Sequence, residues 1–196
     1  MAYRHAEWLD GEVVLLEPPS EKHQQLLGFL NCLIDLFVQF RSLGRVYIAP
    51  FQMRLTRSGR EPDLLFVHND HLIRLKNSYL DGPADLVVEI ISPESIGRDR
   101  GNKFYEYEAG GVPEYWLLDP ITQRAEFYQL GEDGRYQLMQ LQDSVYHAHV
   151  LPGFWLKPAW LWQDPLPSPL RILAEIAGVD MSLVEAFEQA MGDTDG

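Results

Sequence analysis

From residue 26 to residue 40 the chain is apolar except for Asn31, Asp35 and Gln39, which recur every four residues. That spacing puts the polar positions along one side of a helix and leaves the other sides apolar, as in a helix packed into a core. Ser20, just after Pro18 and Pro19, is placed to cap the first turn; the helix should run to about Arg41 and be stopped by Gly44. Cys32, among Phe29, Leu33 and Leu36, reads as a small core residue. The stretch is too short and too often interrupted to cross a bilayer.

Elsewhere the period is two, or the run is apolar throughout. GEVVLLEPP predicts a strand ended by its prolines, followed by short strands at RVYIAP and FQMRLT, a turn at SGR and a third strand at PDLLFV. Residues 68–82 are polar and mixed, a loop with a helical turn. ADLVVEIIS is apolar in both alternations, which predicts a central strand covered on both faces and closed by Pro93. Residues 97–109 are helix-compatible and end at Gly110 and Gly111, before a second buried strand in PEYWLLDP. RAEFYQL and GRYQLMQL, joined by GEDG, predict a hairpin.

The aromatic stretch 145–162 predicts short strands and turns, with Phe154, Trp155, Trp160 and Trp162 sealing a core or a dimer interface. Two short helices follow at 170–177 and 182–191. Their apolar faces, Ile172, Leu173 and Ile176, then Leu183, Val184 and Phe187, need cover from the body or from a second subunit, hence an expected homodimer. The order of elements predicts an α/β or α+β fold, a central mixed sheet flanked by helices with a β-rich extension. The expected division is a domain at 1–164 and a C-terminal helical appendage at 165–196.

Charge narrows the functional classes. The 196 residues hold 16 Lys and Arg against 29 Asp and Glu, a net −13 with pI about 4.8. This weighs against a protein that coats nucleic acid or lies on a membrane surface, both of which draw affinity from clustered cations. The acidity is uneven: residues 1–40 carry −4 and residues 104–196 carry −11, whereas residues 41–103 hold 10 basic and 8 acidic side chains. One cysteine excludes an intrachain disulfide and a Cys-based zinc site. With no signal-type start, the cytoplasm is the expected compartment.

The near-neutral middle also carries the candidate chemistry. Glu89 lies inside an apolar strand, where a carboxylate is costly unless paired or bound to a cation. Asp63, in Glu61-Pro62-Asp63 at the entry of another strand, could join it around Mg²⁺, a cation satisfied by few carboxylates and several waters, with a main-chain carbonyl beside Glu89 as third ligand. A buried ion pair with an arginine is the alternative for Glu89. Asp99, Lys103 and Tyr107 follow at helical spacing, so Lys103 and Tyr107 share a face that could return to the carboxylates; a solvated Lys103 paired with Asp99 is the other reading. His147 and His149 alternate as in a cupin-type metal site, but no acid follows through Trp155, and surface histidines are the simpler reading.

The succession Glu61-Pro62-Asp63-Leu-Leu-Phe-Val, Asp85-Leu-Val-Val-Glu89-Ile-Ile-Ser-Pro93, Arg98-Asp99 with Lys103 and Tyr107, and Gly111-Val-Pro-Glu114-Tyr115-Trp116-Leu-Leu-Asp119-Pro120 resembles the Uma-type restriction endonucleases. These belong to the PD-(D/E)XK nuclease superfamily. Asp10-Gly11-Glu12 and Pro19-Ser20 with His23-Gln24 extend the likeness upstream. The resemblance implies a restriction-endonuclease-like fold and a Mg²⁺-dependent DNA endonuclease, Mn²⁺ being a substitute, with Asp63 and Glu89 as metal ligands. The superfamily's lysine two residues after the strand acid is Ile91 here, and the resemblance implies that Lys103 takes its role. Glu12, His23 and Tyr107 are accessory candidates. A nuclease-fold binding or assembly module without catalysis is the alternative.

Overall fold

The computed structural model describes residues 6–9, 11–15, 18–92 and 98–192. A hairpin, β1 (Ala6–Leu9) and β2 (Glu12–Leu15), precedes the long helix α1 (Glu21–Arg41). Next come β3 (Gly44–Ile48), β4 (Gln52–Arg54), β5 (Ser58–Arg60), β6 (Leu64–His68), a 3₁₀ turn, β7 (Tyr79–Asp81) and β8 (Leu86–Ile90). A π-helical stretch, Arg98–Lys103, runs into α2 (Phe104–Gly110), which leads to β9 (Glu114–Asp119), β10 (Arg124–Leu130) and β11 (Tyr136–Leu138). The pair β12 (Tyr146–His147) and β13 (Trp155–Leu156) and the helices α3 (Pro169–Ala177) and α4 (Met181–Gly192) finish the chain. Asp10 and Pro93 lie outside the described residues, as do the side chains of Arg98 and Asp99.

The architecture is α+β. A six-stranded mixed sheet has the order β11-β10-β9-β8-β6-β3, with β8 and β9 parallel and the other neighbours antiparallel. A five-stranded sheet, β2-β1-β5-β4-β7, lies beside it in the fold. The unbroken apolar runs of β6, β8 and β9 serve two cores. Leu64, Phe66, Leu86, Val88, Ile90, Trp116 and Leu118 pack under α1 and the C-terminal aromatics. The alternate residues, among them Leu65, Val67, Val87, Ile91, Tyr115 and Leu117, pack with Tyr107 of α2, Met53 of β4 and Leu80 of β7. Residues two apart in a strand share a face, so Glu89 lies on the α2 side between Val87 and Ile91.

Helix α1 is capped as its sequence requires, the Ser20 side chain accepting from the His23 N–H. It ends on Ser42 in the left-handed region (φ 53°), not on Gly44. Gly44 opens β3, where a Cβ would lie 2.0 Å from the Val67 carbonyl oxygen; close approach of two strands demands the glycine there. Cys32 is exposed, a correction to its core reading. At 100° per residue it falls beside Gly28 and Gln25, on the solvent side of the helix.

Two further expectations change. Ser58-Gly59-Arg60 is a buried strand, β5, paired to β1 and β4, and not a turn. Residues 68–82 include a strand, β7, parallel to β4. Ile172 and Leu173 of α3 enter the core under α1, joined by Phe154 and Trp160. On α4 Val184 is buried while Leu183, Phe187 and Met191 are exposed. Among the described residues no helix is long and apolar enough to cross a membrane.

Candidate active site

The register of β6 and β8 pairs Leu64 with Val88. One residue further, antiparallel pairing sets Asp63 opposite Glu89 on the same face. The Asp63 carboxylate is fixed by its neighbours: Oδ2 accepts the Ile90 N–H at 2.7 Å, and Oδ1 lies 3.1 Å from His23 Nε2. Its side chain stays 17% exposed, so the pair opens to solvent on the Asp63 side. His23 sits in the first turn of α1, and its Nδ1 is buried without a hydrogen-bond partner among the described residues.

Glu89 is 3% exposed and is held from the helix that follows its strand. Lys103 donates to Oε2 at 2.9 Å and the Tyr107 hydroxyl to Oε1 at 2.6 Å. Lys103 ends the π-helical stretch and Tyr107 stands one turn into α2, so the four-residue spacing aims both at one carboxylate. Burial first, then the Glu89 charge, pushes the Tyr107 hydroxyl well above the ordinary tyrosine range, which keeps it a donor.

A second carboxylate also supports Lys103. Glu7 of β1 places Oε1 3.3 Å from the ammonium and also accepts the Glu61 N–H at 3.2 Å. Its Oε2 takes Arg60 Nη1 at 2.8 Å, while Arg60 Nε and Nη2 clamp both oxygens of Glu106 on α2. Burial alone would raise the Glu7 carboxyl, but Lys103 and Arg60 outweigh it and hold the group below the ordinary glutamate range. Burial opposes charge on Arg60 too, and Glu106 with Glu7 reverses this, locking the guanidinium in its charged form.

Thus Asp63, Glu89, Lys103, Tyr107 and His23 of the sequence-derived set come together, whereas Glu12 is exposed at the turn end of β2. Glu7, Arg60 and Glu106 escaped the sequence reading. Arg60 was hidden because Ser-Gly-Arg reads as a turn. Glu7 had one signal, an acid within the apolar-polar alternation that precedes Gly11, but nothing pointing to partners 53 residues away. His147 and His149 are exposed.

Four carboxylates, Glu7, Asp63, Glu89 and Glu106, face two permanent cations, Arg60 and Lys103, so these side chains carry an excess negative charge of two. Among the described residues no group of three or more His, Cys, Asp and Glu is arranged as a metal cage. That donor set does not suit a structural Zn²⁺ site, which is closed by four Cys and His ligands. It does suit Mg²⁺, which needs one or two carboxylates and keeps its waters. Each carboxylate oxygen has two lone pairs, so the contacts described for Asp63 leave capacity for a cation.

Among curated proteins none matches the chain. A solved structure from Anabaena variabilis ATCC 29413, described as a "putative nuclease belonging to DUF820", superposes with a TM-score of 0.67 at 17% identity, covering 80% of this chain and 89% of that one. The likeness shows a shared nuclease-type fold. The Uma2 family, described as "Putative restriction endonuclease", matches over residues 2–159, which takes in every side chain of the site. By that match across most of its length, the chain belongs to the Uma2 family.

Proposed function

We propose that the protein is a Mg²⁺-dependent endonuclease acting on DNA. The observation that carries the reading is the placing of Asp63, bonded to the Ile90 N–H, across from Glu89, with Lys103 bonded to Glu89 from the following helix. Asp63 and Glu89 would hold the cation, and the Ile90 backbone beside Asp63 is the neighbouring main-chain group. Bound there, Mg²⁺ would polarise a phosphodiester and lower the pKa of a bound water. Lys103 keeps Glu89 oriented and brings a positive charge to where the phosphate oxygens gain charge in the transition state. Tyr107 fixes the second oxygen of Glu89, and His23 orients Asp63. Residues 41–103, which supply most of these groups, are also the part of the chain free of net acidity.

Cleavage of supercoiled plasmid and labelled oligonucleotides with Mg²⁺ or Mn²⁺ tests the reading. The wild type should cut and Asp63→Asn should not; cutting that survives Asp63→Asn overturns the site. A second reading, a nuclease-fold module that binds without cutting, draws on the depth of Glu89 and on Ile91 in the superfamily's lysine position. Calorimetry separates the two, since a module of that kind takes up no Mg²⁺ at millimolar concentration.

A further inference from the structure

The outer face of the five-stranded sheet carries an open cleft of about 850 Å³ that takes no part in the carboxylate–lysine site. Cross-strand register sets Trp8 and Arg54 on either side of Gly59 in one row. Residues opposite in register share a face, so this row points away from the face that carries Glu7 and Arg60. Trp8 is 40% exposed. Arg54 is preorganised: its guanidinium lies 3.7 Å over the Tyr79 ring, and its Nε donates to Gln52 Oε1 at 2.7 Å. Its two terminal nitrogens donate to no described residue. A methyl at Gly59 would lie 2.8 Å from the Gln52 amide, so the glycine leaves Gln52 where it holds Arg54.

A second cavity of about 490 Å³ shares Leu55, Thr56, Ser58, Ala109 and Gly110 with the first. It continues along α2 past Arg57, Tyr105 and Glu106 to Asn102, the neighbour of Lys103. Tyr105 is 65% exposed. Together the cavities form a groove with a held, outward-facing guanidinium at one end, accessible rings at Trp8 and Tyr105, and the helix that bears Lys103 as a wall. Phosphate-facing arginines and base-sized aromatic faces along one track fit an unpaired nucleic-acid strand, because only unstacked bases can lie on such rings. Of the acids in the groove, Glu106 has both oxygens tied to Arg60, which it shares with Glu7, and Asp81 remains.

We infer that this groove holds the single-stranded part of the substrate beside the scissile phosphate, Arg54 gripping the backbone and Tyr105 and Trp8 stacking bases. The inference rests on the nuclease reading and gives its substrate an unpaired segment.

The experiment is anisotropy of a fluorescein-labelled 12-mer of thymidine and of a blunt hairpin duplex, with the full chain carrying Asp63→Asn so that nothing is cut. Arg54→Ala should weaken the 12-mer about fivefold to tenfold and lower the slope of log affinity against log salt by about one. Tyr105→Ala should weaken it about tenfold, while Arg124→Ala, at an exposed side chain of β10, should bind as the parent does. Unchanged affinity and slope for both Arg54→Ala and Tyr105→Ala overturn the groove, as does failure of the parent to bind the 12-mer at low salt. Equal sensitivity of the duplex overturns the unpaired-strand assignment. Wild-type cleavage with binding indifferent to both Arg54 and Tyr105 removes the groove alone; Arg54-dependent binding without wild-type cleavage removes the nuclease reading alone.

Discussion

Lys103 grips Glu89 from fourteen residues further along the chain, its ammonium 2.9 Å from a carboxylate oxygen in the strand before it. The strand position that carries the superfamily's lysine is here Ile91, buried in the α2-side core. The charge reaches the carboxylate from the helix and not from the strand.

If Lys103 supplies transition-state charge, Lys103→Met should lower kcat for plasmid cleavage by about a hundredfold or more, the usual scale for losing one preorganised electrostatic group. KM should change little. Magnesium affinity by calorimetry should persist in this variant and vanish in Asp63→Asn.

Glu7 and Arg60 form a buried pair, their side chains 0% and 1% exposed. Glu7→Ala leaves Arg60 Nη1 and the Glu61 N–H without their buried acceptor and should cost about 1–3 kcal/mol in urea denaturation. The double change Glu7→Leu with Arg60→Met should recover much of this, since apolar replacement of both partners is tolerated better than removal of one. Cleavage should not recover with it, because Lys103 would still lack Glu7.

A test of the fold away from the site lies at Glu114. It is fully buried: Oε1 accepts from Trp116 Nε1 and the Tyr146 hydroxyl, and Oε2 from the His149 and Val150 N–H groups. Glu114→Gln turns an amide NH₂ towards donors that need an acceptor. Stability should fall by about 1–3 kcal/mol or more, with kcat at a permissive temperature unchanged.

Acid should unfold the protein through carboxylates held low in the fold. Glu108 is depressed chiefly by the Tyr136 N–H, then by Arg135, and Glu7 by Lys103 and Arg60 against its burial. A lowered folded pKa means that the stabilisation is complete above the ordinary value of 4.5 and is lost as pH falls through the folded value. Unfolding free energy should be level from pH 7 to about 5 and fall below 4.5. Glu108→Gln should flatten part of that fall, read from denaturation series between about pH 3 and 7.

What could be read from the sequence was whatever depends on neighbours along the chain. The apolar run around Glu89 announced a doubly covered strand with one misplaced charge, and helical spacing put Lys103 and Tyr107 on a common face. Ser20 capped α1 and Gly111 ended α2 as local stereochemistry requires. The features that depend on distant partners stayed hidden. Ser-Gly-Arg has the composition of a turn and becomes a strand because β1 and β4 pair with it on either side. Glu7 and Glu106 meet only through Arg60, which no spacing rule connects to either.

Helix α2 is the connection between two parallel strands, β8 and β9. A chain that leaves one strand and enters the next in the same direction must travel back across the sheet, and so passes the carboxylate it has just laid down. In this chain the passage carries Lys103 to Glu89. Should cleavage be found to depend on Lys103, searches that demand acid and lysine two residues apart would discard such chains. A pattern allowing the lysine at the end of the crossover's first helical turns, with a tyrosine four residues on, would retain them.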